Sequence, residues 1–141
     1  MAIGSAKGTL QQIGDGASPE VFGTIGQVRS LSGPTTSVTV QDITTHSTAG
    51  NWREKLAVLL DPGTISFPIN FDHADATHAF ATGMWDDMID LVLRNFQTVL
   101  SGTAGTLAYG AYITGHGFDL PVDNVRQVNV ELTISGAIST S

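Results

Sequence analysis

The sequence predicts an α+β chain that is mainly β: two packed antiparallel sheets, a β-sandwich or half-barrel, with one flanking α-helix. Three stretches carry that expectation. From Gln127 to Ile138 the even positions are Val128, Val130, Leu132, Ile134 and Ile138, with Gly136 as the gap; the odd positions are Gln127, Asn129, Glu131, Thr133, Ser135 and Ala137. A period of two sustained this long marks a strand with one buried side and one wet or partner-facing side. At about 3.3 Å per residue this stretch spans roughly 40 Å, beyond the usual ~17–20 Å. Such a strand crosses a whole sheet or reaches past its own subunit. Thr64 to Asp72 alternates as strictly, with Ile65, Phe67, Ile69 and Phe71 against Ser66, Pro68 and Asn70. In between, Phe80, Met84, Met88 and Leu91 recur at helical spacing.

Taken in order, Thr9 to Ile13 is a short strand, stopped by the turn Gly14-Asp15-Gly16-Ala17-Ser18-Pro19. Val21 to Leu31 follows as a second strand, in which Gly23 and Gly26 signal a bulge or a close backbone approach. Ser32-Gly33-Pro34 breaks it, and Thr35 to Thr45 resumes with Val38 and Val40 on one side. Residues 44–61 form a long loop, or a loop with a short helix over 52–60; Asp61-Pro62-Gly63 then signals a turn. Pro68 lacks a donor, which puts the Thr64–Asp72 strand at an edge or on a bulge. Asp75 reads as the N-cap of a helix over Ala76–Asp90, with Asp86, Asp87 and Asp90 facing outward. Val92 to Leu100 is extended, residues 101–105 turn, and Thr106 to Phe118 is a long strand aligning Leu107, Tyr109, Ala111 and Ile113. Asp119 to Asn124 connects it to the closing strand.

A chain of 141 residues reads as one domain, 1–141, able to bury roughly two-thirds of its unfolded surface. No stretch approaches the ~20 apolar residues of a membrane helix, and Met1-Ala2-Ile3-Gly4-Ser5 does not open a signal peptide. The expectation is a soluble product of a cytoplasm with no membrane partner. Without cysteine, disulfides and thiolate metal sites are excluded. Charged residues make up 13%, against about 25% for a typical soluble domain. Interface cores are depleted of charge whereas free surfaces keep it, so much of this surface is expected to meet other protein. A net charge of −7 argues against a sequence-reading nucleic-acid binder, which needs a basic footprint. It does not argue against DNA passing nearby.

The residue types that carry catalysis are present, but not in the patterns that catalysis uses. His73 and His78 lie five apart beside Asp72 and Asp75, not at the i,i+4 spacing of zinc-binding pairs, and His46 and His116 stand alone. Solvated or hydrogen-bonded histidines are the expectation, and Asp72–His78 is the one cluster that merits a metal assay. No Ser sits in Gly-x-Ser-x-Gly. The adjacent Asp86 and Asp87 diverge on a helix. Gly14-Asp15-Gly16 lacks the spacing of a phosphate loop, and Trp52 and Trp85 read as packing anchors. No catalytic, cofactor-binding or metal-ligating residue is assigned, no cofactor is expected, and the chain does not read as an enzyme. From Asp61 to Asp90 there are six aspartates and no Lys or Arg. That is a solubilising face, or an acidic wall of a channel carrying a polyanion.

At the level of motifs the chain resembles the major tail tube proteins of long flexible-tailed, lambda-type bacteriophages. The resemblance rests on Ile25-Gly26-Gln27-Val28-Arg29-Ser30-Leu31-Ser32-Gly33-Pro34, on Asp42-Ile43-Thr44-Thr45-His46 and on Trp52-Arg53-Glu54. Pro121-Val122-Asp123-Asn124-Val125 and Val130-Glu131-Leu132-Thr133-Ile134-Ser135-Gly136 resemble that family's last strand. It covers about Thr9 to Ile138. The resemblance implies a tail tube-like sandwich or half-barrel that assembles as hexameric rings. Those rings stack into a hollow tube around a tape-measure protein, between tail-tip and tail-terminator proteins, and DNA leaves through it without specific binding. It implies a location in the virion tail, a long loop at 44–61, and terminal arms at 1–7 and 139–141 that bridge rings. No immunoglobulin-like domain follows within this sequence.

Three functions are therefore in view: a self-assembling structural virion protein (or a related secretion-type tube protein), a monomeric small-ligand-binding β-barrel, and a hydrolase or metal enzyme using Asp72–His78. The barrel predicts an enclosed apolar cavity. The tube predicts self-assembly into stacked rings, with the long alternating strands supplying hydrogen bonds between subunits.

Overall fold

A computed structural model of the chain describes residues 4–16, 19–47, 49–102 and 104–141. In chain order its elements are β1 (Leu10–Gly14), β2 (Phe22–Thr24), β3 (Ser37–Asp42), β4 (Lys55–Asp61), β5 (Thr64–Asn70), α1 (Met84–Ile89), β6 (Arg94–Val99), β7 (Thr106–Asp119) and β8 (Gln127–Thr140). Two antiparallel sheets and one short helix result, the mainly-β α+β class that the patterning predicts. One sheet has six strands in the order β2-β1-β6-β7-β8-β5; the other is the β3–β4 hairpin. The two sheets do not share a core: every residue of β3 and β4 is exposed.

The six-stranded sheet curls until one stretch joins its two edges. Phe22–Thr24 pairs with β1, and Ile25 N–H donates to the Gln11 carbonyl. Beyond it, Gln27 accepts from Asn70 N–H, Arg29 N–H donates to Pro68, and Ser32 and Ser66 exchange both bonds. Sequence patterning predicts one strand over Val21–Leu31; the chain instead has a three-residue strand followed by irregular backbone with isolated bridges at Val28 and Ser32. The break lies at Gly26-Gln27. A Cβ on Gly26 would strike the Asp75 carboxylate, and Gln27 takes a left-handed φ of 62°. Pro68 sits where its missing donor costs nothing to the β5–β8 ladder, because its carbonyl faces Arg29 on the outer side of β5.

The core is built from period-two faces. Ile65, Phe67 and Ile69 of β5 pair with Leu132, Val130 and Val128 of β8, and Ile134 opposes Ala111 on β7. These residues, with Phe96, Tyr109, Ile113, Ile25 and Met84, are buried. The face of β7 changes at a bulge: Tyr109, Ala111 and Ile113 point inward, the register shifts between Ile113 and Gly115, and His116 and Phe118 then oppose Val130 and Val128. Side chains of Phe67, Phe96, Leu132 and their neighbours fill the space that a ligand-binding barrel would leave as an enclosed cavity.

Three expectations need correction. The helix predicted over Ala76–Asp90 is regular only over Met84–Ile89, and its N-cap is Gly83 without a side-chain bond. Asp75 caps a turn instead, its Oδ1 accepting from the Thr77 amide at 2.9 Å and hydroxyl at 2.7 Å. The segment is pulled from helical geometry because His78 is buried and tied to Gly26, so Phe80 and Leu91 end exposed and Asp87 ends inward. The short helix read at 52–60 is absent: Lys55–Asp61 is strand β4, and the loop shrinks to 43–54. The expected arm at 139–141 is part of the sheet. Ser139 and Thr140 pair with Ala108 and Leu107, and Ser141 exchanges both backbone bonds with Thr106. In the expected arm at 1–7, residues 1–3 lie outside the described residues, and 4–7 are exposed.

Candidate assembly surfaces

The polar face of the six-stranded sheet is the first surface. On β8 it carries Gln127, Asn129, Glu131, Thr133 and Ser135, flanked by Ser66 and Asn70 of β5 and by Tyr112, Thr114 and Gly117 of β7. It continues across Asn95 and Gln97 of β6 and Gln12 of β1 to Thr24 of β2. Amides and hydroxyls bond along it: Thr114 to Thr133 at 2.9 Å, Gln97 to Gln12, and Gln12 to Thr24 at 3.2 Å. On the strands themselves the charged residues of this face are Glu131 and, at one end, Asp119. A sheet face so poor in charge neither attracts nor strongly repels a polyanion, and it offers hydrogen-bonding groups in every register.

The β3–β4 hairpin is the second surface. Val38 opposes Leu60 and Val40 opposes Ala57 on one side; Thr39 opposes Leu59 and Gln41 opposes Leu56 on the other. A bulge at Thr39/Val40 accommodates Val58. Leu59 is 67% exposed, Leu60 73% and the tip residue Trp52 81%. Within its own tip the hairpin is ordered by polar contacts. Glu54 N–H donates to the Thr44 hydroxyl at 2.8 Å, and Arg53 lies 3.6 Å from Asp42. The Thr44 hydroxyl and amide hold the Asp42 carboxyl below its ordinary pKa. A two-stranded ribbon with apolar side chains on both faces has no core of its own and is marginal in water without a cover. Where the hairpin leaves the sheet, Pro34, Leu60, Pro62, Leu107 and Ile138 line an open cleft of about 560 Å³. It is shaped by the irregularity of β8 at Gly136, where the pairing with β7 shifts register and φ is +88°.

The residues singled out for chemistry are dispersed. His78 is buried with both ring nitrogens in use: Nδ1 accepts from Asp72 N–H at 3.0 Å and Nε2–H donates to the Gly26 carbonyl at 2.7 Å. That fixes the neutral tautomer and leaves no lone pair for a metal. His73 is exposed, and Asp72 and Asp75 accept backbone bonds from Ala74 and Thr77. No group of three or more potential metal ligands occurs among the described residues. Asp87 pairs with Arg94 while Asp86 stays partly exposed. Trp85 packs against Phe80 and His116, as an anchor should, whereas Trp52 is exposed at the hairpin tip. His46 is exposed in the hairpin loop. In the Gly14-Asp15-Gly16 turn, Gly16 N–H donates to Glu20 and the Asp15 carboxylate accepts from Val21 N–H, a closed turn rather than a phosphate cradle.

The feature that patterning missed is β4. Its signal was the length of the apolar run, Leu56 to Leu60, which suits a strand better than a helix of three turns, together with the Asp61-Pro62-Gly63 turn feeding β5 directly.

No protein-family model matches the chain, and no curated protein does. Solved structures do. A chain of the tail of an empty gene transfer agent particle, refined helically with C6 symmetry, superposes with a TM-score of 0.78 at 23% identity over 99% of both chains. A chain from the virion of a native gene transfer agent particle gives 0.76 at 20% identity, again over 99% of each. The tail tube of SPP1 gives 0.68 at 11% identity, covering 94% of this chain and 76% of that one. The polar sheet face, the curled sheet and the projecting hairpin thus belong to a chain with the fold of virion tail and tail-tube subunits.

Proposed function

We propose that the protein is a non-enzymatic structural subunit of a virion tail. In this reading it self-assembles into stacked hexameric rings that form the hollow tube through which DNA is ejected. The observation that carries the proposal is the β3–β4 hairpin, whose apolar side chains face water on both sides. A hairpin of this kind needs a protein cover, and the self-assembly reading supplies one from other copies of the chain. The likeness to tail chains refined with C6 symmetry supports the six-fold ring. The charge-poor amide and hydroxyl face, with Glu131 and Asp119 as its charges, suits a lumen lining along which DNA would slide without adhering. The tape-measure, tail-tip and tail-terminator proteins are the further partners of this reading, and residues 1–7 are its ring-bridging arm.

Negative-stain microscopy and light scattering of the purified chain, with and without a tail-tip initiator, test it. Tubes of stacked six-fold rings are the expected product. A chain that stays monomeric at every concentration, salt and incubation time, and does not enter tails with the initiator present, overturns it. Removal of residues 1–7 is expected to leave the melting of the monomer unchanged and to shorten the tubes; loss of the monomer fold would contradict the arm.

A further inference from the structure

His116 stands on β7 opposite Val130, turned inward by the bulge that precedes it. Trp85 of α1 packs edge-to-face on its ring at 5.2 Å between ring centres, and Phe118 does so at 5.4 Å. Phe118 in turn meets Phe71 and Phe80, and Phe80 meets Trp85. Aromatic rings from β7, from α1 and from the 71–83 connection therefore enclose one imidazole. Both of its nitrogens are buried without a hydrogen-bond partner among the described residues, in contrast to His78, whose nitrogens are both engaged.

The charged and titratable groups around it give a cation little help. On α1, Asp87 is turned to Arg94, and Asp86 and Asp90 are the other carboxylates. In the 71–83 connection Asp72 and Asp75 accept backbone bonds, His73 is exposed, and His78, neutral in its two hydrogen bonds, supplies no counter-charge. On β8, Glu131 lies on the polar face, as does Asp119 on β7 itself. Burial pushes the His116 pKa below its ordinary value of 6.5, and the residue's own backbone opposes that shift.

We propose that His116 is an acid-sensitive latch that holds α1 and the 71–83 connection onto the end of β7. Neutral, the imidazole is one more ring in the aromatic cluster. Protonated, it is a cation buried among aromatic rings with no acceptor but its own backbone, and the cheapest relief is for Trp85 and Phe80 to lift and let water reach it. The folded-state pKa is depressed, so the latch contributes fully above the ordinary histidine value and is lost as pH falls through the depressed one. The latch concerns the single chain and does not depend on the assembly reading.

Trp85 and Trp52 are the two tryptophans of the chain, so a Trp52→Phe chain reports on Trp85 alone. Its emission is expected to shift red, reversibly, between about pH 8 and about pH 5, with a midpoint below 6.5. The chain carrying Trp52→Phe and His116→Phe, which keeps a ring and removes the proton, is expected to lose that shift. The same shift in the double variant overturns the latch, because His78 or the carboxylates then drive it. If the double variant does not fold, proton NMR of the unaltered chain decides. A His116 ring signal titrating below 6.5, together with the Trp85 indole signal moving at the same midpoint, supports the latch. A His116 midpoint at or above that value, or an indole signal that ignores it, overturns it.

Discussion

Arg94 donates from Nε and Nη2 to a single carboxylate oxygen of Asp87, at 3.1 and 3.0 Å, and so ties β6 to α1. The same guanidinium donates from Nη1 to the Asp15 carbonyl at the end of β1. The Asp87 side chain is 8% exposed and that of Arg94 28%. Removing either partner strands the other, so Arg94→Met is expected to lower stability by about 3 kcal/mol. Replacing both, with Asp87→Leu added, should recover part of that loss. Urea unfolding of the monomer checks it; additive losses in the double variant would show that the two residues do not act as a pair.

Gln11, Thr98 and Tyr109 form a closed buried triangle, with Gln11 Nε2 donating to the phenol at 2.9 Å and Thr98 Oγ1 to Gln11 Oε1 at 2.6 Å. Tyr109→Phe leaves Gln11 short of an acceptor and is expected to cost about 1–3 kcal/mol. The phenol pKa is raised by burial, against the bonds from Thr98 and Gln11 that lower it. The fold therefore keeps the neutral form, and this contribution is complete below the ordinary value of 10.0 and is lost as pH rises beyond it. An ultraviolet phenolate titration beside alkaline unfolding is expected to show late ionisation that Tyr109→Phe abolishes.

Neighbouring residues of β8 should respond in opposite ways. Leu132 is fully buried, and Leu132→Asp would place an unpaired carboxylate among Ile65, Ile113 and their neighbours. Loss of folding, a cost above about 4 kcal/mol, is expected. Asn129 is exposed on the other face, and Asn129→Asp should stay within about 0.5 kcal/mol of the parent. Circular dichroism melts of the two variants decide.

Hairpin substitutions should separate folding from assembly. Leu59→Asp and Leu60→Asp alter exposed positions of β4 and are expected to leave monomer stability within about 0.5 kcal/mol. Tube formation, followed by light scattering, should fail. Normal tubes from both variants would mean that the hairpin's apolar faces are not what other copies cover.

Gly63 turns the chain from β4 into β5 with φ +82°, and a Cβ there would collide with the Thr35 carbonyl. Gly63→Ala is expected to cost more than the about 1 kcal/mol of a strained φ alone, measured by urea unfolding.

Much of the fold was legible because its signals are local. Period two placed β5, β7 and β8, Pro68 put β5 at an edge or on a bulge, of which the edge is what formed, and the turn residues placed the breaks. The charge-poor composition and the polar side of β8 pointed to surfaces that meet other protein. The motifs around Ile25–Pro34 and the closing strand pointed to the tube fold. Less of the candidate site could be read. β4 has an apolar run whose periodicity does not separate helix from strand, so that only its length hinted at a strand, and its pairing with Val38 and Val40 across a loop of a dozen residues is not written in either segment. The helix over Ala76–Asp90 satisfied its periodicity and still formed only at its end, because the buried bonds of His78 to Gly26 and Asp72 outweighed a weak local preference.

By itself the sequence determined which side of each long strand faces the core, since alternation of apolar and polar residues is a property of neighbours along the chain. Only the tertiary structure decided which strand lies beside which and where the register slips. It also decided that Phe22–Ser32 joins the two edges, and that the hairpin stands away from the core. Those depend on contacts between residues far apart in sequence, whose energies no single segment encodes.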